Sequence, residues 1–193
     1  EHSLGLVDID AAGSAWRIEW GLDGARPTSE FAAHYLDHCA LASRAGEARS
    51  GRVVYHAHTP NLVTLGVLLP PTAAVYSRAL WKSITECIMV IPQGVGVVEW
   101  MLPGSIGLAR ATASLMATYD AVVWAQHGVI AAGTDFRTAF GLVHTLEKAA
   151  GIYLAARAAS GGSDRFSQPI TDAHLRAICE NLNLAVAEEF LEE

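Results

Sequence analysis

Two histidines one residue apart, His56 and His58 in "VVYHAHTPNLVTL", close a short apolar run. On a strand, residues i and i+2 project to the same side, about 7 Å apart along the chain. Two neutral imidazoles so placed can share one divalent cation, and a strand is a stiff support for them. Taken singly, each is a polar residue at a strand end; the pairing is what favours a metal. The residues that follow are Thr59, Pro60, Asn61 and Leu62, with no acidic ligand among them. A third ligand must come from further away, and His127 in "WAQHGV" is the best placed. It lies between two apolar runs and directly before Gly128, where the backbone can turn sharply and another group can come close. Three protein ligands leave an open coordination position, the catalytic arrangement.

A metal that polarises a substrate is served by a nearby acid or base, and two carboxylates are candidates. Glu30 in "RPTSEF" falls in the first turn of an expected helix, where the dipole favours its charged form. On its own it reads as an ordinary first-turn glutamate, with Thr28 or Ser29 as the N-cap. Glu86 in "TEC" leads straight into the apolar "CIMVI" and is either an edge charge or a site residue. His34, His38, His144, His2 and His174 lie within helices or near the termini and read as solvated or packed.

The elements that must hold these residues follow from periodicity. "SAWRIEW" alternates strictly and predicts a half-buried strand, with Trp16, Ile18 and Trp20 on one face. A helix is expected from the Thr28–Ser29 cap to about Arg44, with Phe31, Tyr35, Leu36 and Cys39 at helical spacing. "RVVYHAH" predicts a strand, "TPNLVTLGVLL" and "AAVYSRALW" predict helices, and "ECIMVI" and "GVGVVEW" predict strands. "SIGLARATASLMATY" reads as helix, and "DAVVWAQHGVIAAG" as two strands flanking Gln126–His127–Gly128. The longest helix starts at Asp135, behind an expected Thr134 cap. "SGGSD" is the one clear linker, and two short helices follow. The order of elements predicts an α/β fold, layers of helix around a largely buried sheet.

The chain has 193 residues, 51% of them hydrophobic and 17% charged, which fits one globular domain. Its net charge of -7 disfavours nucleic acid and anionic membrane surfaces as partners. An anionic substrate would need a local device: a metal, backbone amides or a single arginine. Three widely spaced cysteines give no disulfide framework and point to a reducing cytoplasm.

Four blocks, "RPTSEFAAHYLDHC", "VVYHAHTPNLVTL", "LWKSITECIMVIPQGVGVVEWMLPGS" and "AQHGVIAAGTDFRTAFGLVHTLEKAA", together resemble the class II aldolase/adducin superfamily. The likeness is to its rhamnulose-phosphate branch more than to its fuculose-phosphate aldolases or ribulose-phosphate 4-epimerases. It extends over nearly the whole chain. It implies an α/β/α sandwich around a mostly antiparallel central sheet, a single catalytic domain over 1–193, and a cyclic homotetramer. It implies one Zn²⁺ per subunit on His56, His58 and His127, with Glu30 as the catalytic carboxylate. Glu86 would sit near the aldehyde end of the substrate, and Ser29 would contact its phosphate. The reaction implied is retro-aldol cleavage of L-rhamnulose 1-phosphate to dihydroxyacetone phosphate and L-lactaldehyde. The family's glycine- and asparagine-rich phosphate loops are not in this sequence, so metal binding without full phosphate recognition is expected. A non-catalytic adducin-like module is the competing expectation, and the three histidines argue against it.

Overall fold

The computed structural model describes residues 4–44 and 53–191. In chain order the strands are β1 (Gly5–Ile9), β2 (Trp16–Gly21), β3 (Val53–Ala57), β4 (Gly96–Val98), β5 (Ala121–Trp124) and β6 (Gly128–Gly133). The α-helices are α1 (Phe31–Ala42), α2 (Pro60–Leu68), α3 (Ala73–Trp81), α4 (Thr85–Val90), α5 (Ile106–Met116), α6 (Phe136–Ala159) and α7 (Asp172–Leu182). Four strands form one sheet in the order β3-β6-β5-β4, and β1 and β2 form a separate hairpin.

β5 and β6 are apolar at every position because both of their faces are covered. Alternate residues serve opposite layers. Val122, Trp124, Ile130 and Ala132 pack with Ala33 and Leu41 of α1 and with Leu108, Ala109 and Met116 of α5. Ala121, Val123, Val129 and Ala131 pack against α2, α3, α4, α6 and α7 on the other side. This is the expected three-layer α/β/α arrangement. The sheet itself is mixed: β3–β6 and β5–β6 are antiparallel, but β4 and β5 run parallel. A parallel pair needs a crossover, and α5 provides it.

Three elements depart from the sequence reading. "ECIMVI" forms helix α4, with Cys87 and Ile88 buried and Met89 and Val90 turned outward. A six-residue apolar run does not distinguish strand from buried helix by periodicity. Trp16 and Trp20 are 46% and 57% exposed; α1 reaches that face of the hairpin at Phe31, whose ring lies 5.9 Å from that of Trp16, and leaves both indoles largely open. On α1 the buried stripe is Ala33, Asp37 and Leu41, and Cys39 is exposed. Small Ala33 lets α1 come close to α5, and Asp37 is carried inside with it. Neither Asp37 carboxylate oxygen has a hydrogen-bond partner among the described residues. Burial pushes its carboxyl up to about 8.

Cap chemistry sets most helix starts. Ser105, Thr72 and Asp135 accept backbone N–H bonds at the starts of α5, α3 and α6, so the α6 cap is Asp135 and not Thr134. His174 closes a capping box with Thr171 on α7, and His144 stacks on Phe140. His2 lies outside the described residues. At α2 the Thr59 side chain makes no capping bond. Glu147 of α6 does that work instead: its carboxylate accepts from the backbone N–H groups of Asn61 and Leu62 at 3.0 and 3.1 Å and from Asn61 Nδ2 at 2.8 Å. A charged acceptor from α6 thus fixes the turn that begins directly after His58. Glu147→Ala is expected to destabilise the chain by about 2–3 kcal/mol, read as a lowered urea midpoint, because two part-buried N–H groups lose their partner. An unchanged midpoint would mean that water replaces the carboxylate at no cost.

Candidate metal centre and adjoining carboxylate

β3 pairs with β6 so that His56 lies opposite Ile130 and Ala57 opposite Val129. His58 follows at the strand end. Between β5 and β6 the chain reverses through Gln126, which takes the left-handed conformation at φ 57°. Its side-chain amide donates to the Gly66 carbonyl of α2, which holds the turn in place. Gly128 makes the final approach possible: a Cβ there would stand 2.4 Å from the Ala57 carbonyl oxygen. No other residue fits so near the β3 backbone. The result carries His127 across to the end of β3.

One ring nitrogen from each of His56, His58 and His127 lies within 4.8 Å of the other two. The His58 and His127 Nε2 atoms are 3.1 Å apart. Two imidazole ligands on one tetrahedral zinc stand about 3.3 Å apart, given Zn–N lengths near 2.0–2.1 Å, so the spacing suits a shared cation. His56 shows the fit from another side. Its Nδ1 lies 3.0 Å from the Val129 carbonyl oxygen and donates to it, so Nε2 presents a lone pair. That Nε2 is buried and has no protein partner among the described residues. Burial also pushes the His56 imidazole down to about 4, which keeps it in the neutral, ligating form at ordinary pH. His127 is likewise held below the usual histidine value by burial, against the opposing pull of the Glu30 carboxylate.

Trp124 forms the floor. Its ring centroid is 4.5 Å from that of His56 and 5.0 Å from that of His127. Its indole N–H donates to Thr112 Oγ1 at 2.8 Å, and that hydroxyl donates to the Leu108 carbonyl at 2.7 Å. Two imidazoles are therefore oriented by one indole, itself held by α5. The sequence reading did not single out Trp124. Its position three residues before His127, in a run of strand residues, was the available signal.

Glu30 occupies the N-cap position of α1, one residue after Ser29 and two after Thr28, the expected caps, and makes no side-chain capping bond. It is buried, and its Oε2 accepts from the Gly104 N–H at 2.9 Å. Oε1 stands 4.0 Å from His127 Nε2 and receives a long contact of 3.4 Å from Ser29 Oγ. The structure therefore brings Glu30, Ser29 and the three histidines together. It does not bring Glu86 to them. Glu86 is exposed on the first turn of α4, and no hydrogen bond or ion pair joins it to the cluster among the described residues. Gly104, missed in the sequence, adopts φ +72°, and a Cβ there would lie 3.2 Å from the Ser29 carbonyl oxygen.

Residues 1–154 match the family described as Class II Aldolase and Adducin N-terminal domain. Rhamnulose-1-phosphate aldolase of Escherichia fergusonii is 38% identical over 185 residues, covering 94% of this chain and 65% of that protein. The Escherichia coli O1:K1 / APEC protein of the same name is 42% identical over 153 residues, covering 78% of this chain and 54% of that protein. The chain thus spans between half and two thirds of the length of these relatives. Among solved structures, a sugar-phosphate aldolase from Thermotoga maritima is 34% identical, with a TM-score of 0.64 over 78% of this chain and 61% of that one. An L-fuculose 1-phosphate aldolase is 25% identical, with a TM-score of 0.60 over 92% of this chain and 72% of that one.

Proposed function

Since the chain belongs to the class II aldolase and adducin family, we propose that it carries out metal-dependent retro-aldol cleavage, taking L-rhamnulose 1-phosphate to dihydroxyacetone phosphate and L-lactaldehyde. The observation that carries this reading is the three-imidazole cluster with the Glu30 carboxylate 4.0 Å from one of its rings. His56, His58 and His127 would hold the cation, and three nitrogen donors favour zinc. When bound, it supplies Lewis-acid stabilisation for negative charge that develops on substrate oxygens.

The chain's own residues do the rest. In cleavage the bond between the carbinol carbon and the carbon next to the ketone breaks, and the carbinol O–H gives its proton to solvent as the aldehyde forms. The electron pair left on the other fragment must be quenched by a proton at carbon. Glu30 is the group to deliver it, or to remove it in the synthetic direction. The Gly104 N–H fixes one carboxylate oxygen and leaves Oε1 turned to the cluster. Ser29 stands beside it as a contact for the substrate phosphate. Neither lysine offers an alternative Schiff-base route: Lys82 Nζ is bound to Asp172 at 2.9 Å, and Lys148 is exposed on α6.

As part of the same reading we assign Glu86 to the aldehyde end, one Zn²⁺ to each subunit, and a homotetramer as the assembly. Among the described residues of one chain no bond ties Glu86 to the histidines, so this role requires its contribution across a subunit interface. The free cysteines suit a reducing cytoplasm.

The test is metal content by elemental analysis, followed by enzyme-coupled detection of dihydroxyacetone phosphate from L-rhamnulose 1-phosphate. L-fuculose 1-phosphate and L-ribulose 5-phosphate serve as comparison substrates. Cleavage that disappears with a chelator and returns with zinc supports the reading; a fully metal-loaded chain that cleaves no sugar phosphate overturns it. Gly104→Ala gives a sharper check. The new Cβ strains a left-handed residue against the Ser29 backbone and moves the amide that holds Glu30. We expect kcat to fall about tenfold or more with metal content unchanged.

A further inference from the structure

Thr112 is fully buried on α5, the helix that follows directly from the Gly104 amide holding Glu30. A threonine inside a helix commonly donates to the carbonyl four residues back, and Thr112 does so to Leu108 at 2.7 Å. That bond uses its one O–H and leaves its lone pairs free to accept. They meet the Trp124 indole N–H at 2.8 Å. An indole can only donate, and Trp124 is buried, so bulk water does not reach this bond. The two bonds together fix the threonine hydroxyl and the tilt of the indole.

The indole in turn bears on two of the three imidazoles. Trp124 ends β5, and its carbonyl accepts from the His127 N–H at 3.0 Å, closing the turn that presents that ring. Directly opposite on β6 is Gly128, which has no side chain, and β3 lies beyond it. The indole reaches across to His56, with centroids 4.5 Å apart, and to His127 at 5.0 Å. The same helix serves the base. Ser105 Oγ caps α5 by accepting from the Leu108 N–H at 3.2 Å, and the Leu108 carbonyl is the one that Thr112 binds. The hold on Glu30 at Gly104 and the hold on the indole at Thr112 therefore lie on one continuous hydrogen-bonded stretch.

We propose that Thr112 is a positioning residue for the metal centre: through the Trp124 indole it sets the ring planes of His56 and His127, and through α5 it fixes those rings relative to the Glu30 carboxylate. The inference rests on the reading of the histidines as cation ligands and adds a residue that acts on them through another side chain. Ring planes matter because the ligating lone pair lies in the plane of the imidazole, and a tilted ring aims it away from the cation.

Thr112→Val keeps the shape of the side chain and removes the acceptor, and Thr112→Ser restores the acceptor. Ser77→Ala is the control: it removes another buried hydroxyl, the acceptor of the Val95 N–H at 3.0 Å, in the opposite helix layer. Zinc affinity is read by competition with a chromophoric chelator. Thr112→Val should bind zinc at least about tenfold more weakly than wild type, with Thr112→Ser and Ser77→Ala within about threefold of it. At saturating zinc the kcat of Thr112→Val should fall about tenfold with KM nearly unchanged. Imidazole nitrogen resonances of the metal-free chain give a reading that needs no catalysis: Thr112→Val should shift those of His56 and His127 and leave those of His144 and His174 in place. Unchanged zinc affinity in Thr112→Val overturns the proposal. So does weakened zinc binding without those shifts, since the indole would then not act through the ring planes. An equal loss in Ser77→Ala would reduce the effect to general stability, and an equal loss in Thr112→Ser would remove the hydroxyl from it; either overturns the proposal. A wild type that takes up no zinc overturns the metal reading and this inference with it. A wild type that binds zinc and cleaves no sugar phosphate, with affinity lost in Thr112→Val, upholds the positioning role and removes the proposed reaction.

Discussion

His56→Ala is expected to strip the divalent cation from the chain while leaving its secondary structure in place. His56 is the most constrained of the three imidazoles. Its Nδ1 is tied to the Val129 carbonyl, its face lies on Trp124, and its Nε2 is buried without a partner among the described residues. A ring fixed on three sides binds metal without a further ordering cost, so its loss should exceed the ~10–100-fold typical of losing a supporting partner. Elemental analysis after dialysis should give about one zinc per chain for wild type and close to none for the variant. His144→Ala is the control, since His144 stacks on Phe140 of α6 and is not part of the cluster. Glu30→Gln completes the set: it should keep the metal and lose roughly 10²–10⁴-fold in kcat, the range for removing a positioned acid–base group. A His56→Ala chain with full metal content would show that the cluster is a hydrogen-bonded histidine group and not a ligand set.

Asp37→Asn should stabilise the chain above neutral pH and remove a pH dependence that wild type shows. Burial raises the Asp37 carboxyl to about 8 in the folded chain. The unfolded value is about 3.9. Between the two, the folded chain holds one more proton than the unfolded chain. Stability therefore falls as pH rises through that window, by roughly 1.4 kcal/mol per pH unit in the limit of full coupling. The contribution is whole below about pH 4 and exhausted above about pH 8. The amide variant binds no proton in either state, so its stability should diverge upward from wild type by a few kcal/mol across the window. Urea midpoints at pH 5 and pH 8 give the comparison directly. Parallel curves would mean that water or a nearby donor satisfies Asp37 and holds its carboxyl near the usual range.

Much of the site was readable from the chain, and the limits are physical. His56 and His58 declare themselves because strand geometry makes i and i+2 neighbours. His127 was legible through Gly128, since a glycine after a histidine between apolar runs signals close backbone approach. The partners that orient these groups were not legible. The Gly104 amide lies 74 residues from Glu30, and no local pattern joins them. Glu147 reaches α2 from 86 residues away and takes the N–H groups at its start. Asp37 was missed because α1 was read by its large side chains. Packing against α5 selected the face with the smallest residue, Ala33, and carried a carboxylate inside with it.

The separation along the chain between the pieces of the site also governs when it can exist during folding. His58 meets His127 across 69 residues, and His56 meets the Val129 carbonyl across 73. Neither contact forms until β3 has closed onto β6, which is a long-range and intrinsically slow pairing. Before that event the chain holds only a local His-x-His pair, a weak and unselective ligand. Tight metal uptake during refolding should therefore coincide with the last step that joins β3 to the sheet. A chain synthesised from its N-terminus carries the histidine pair from early on and remains a poor competitor for cellular metal until residues beyond Gly133 have emerged.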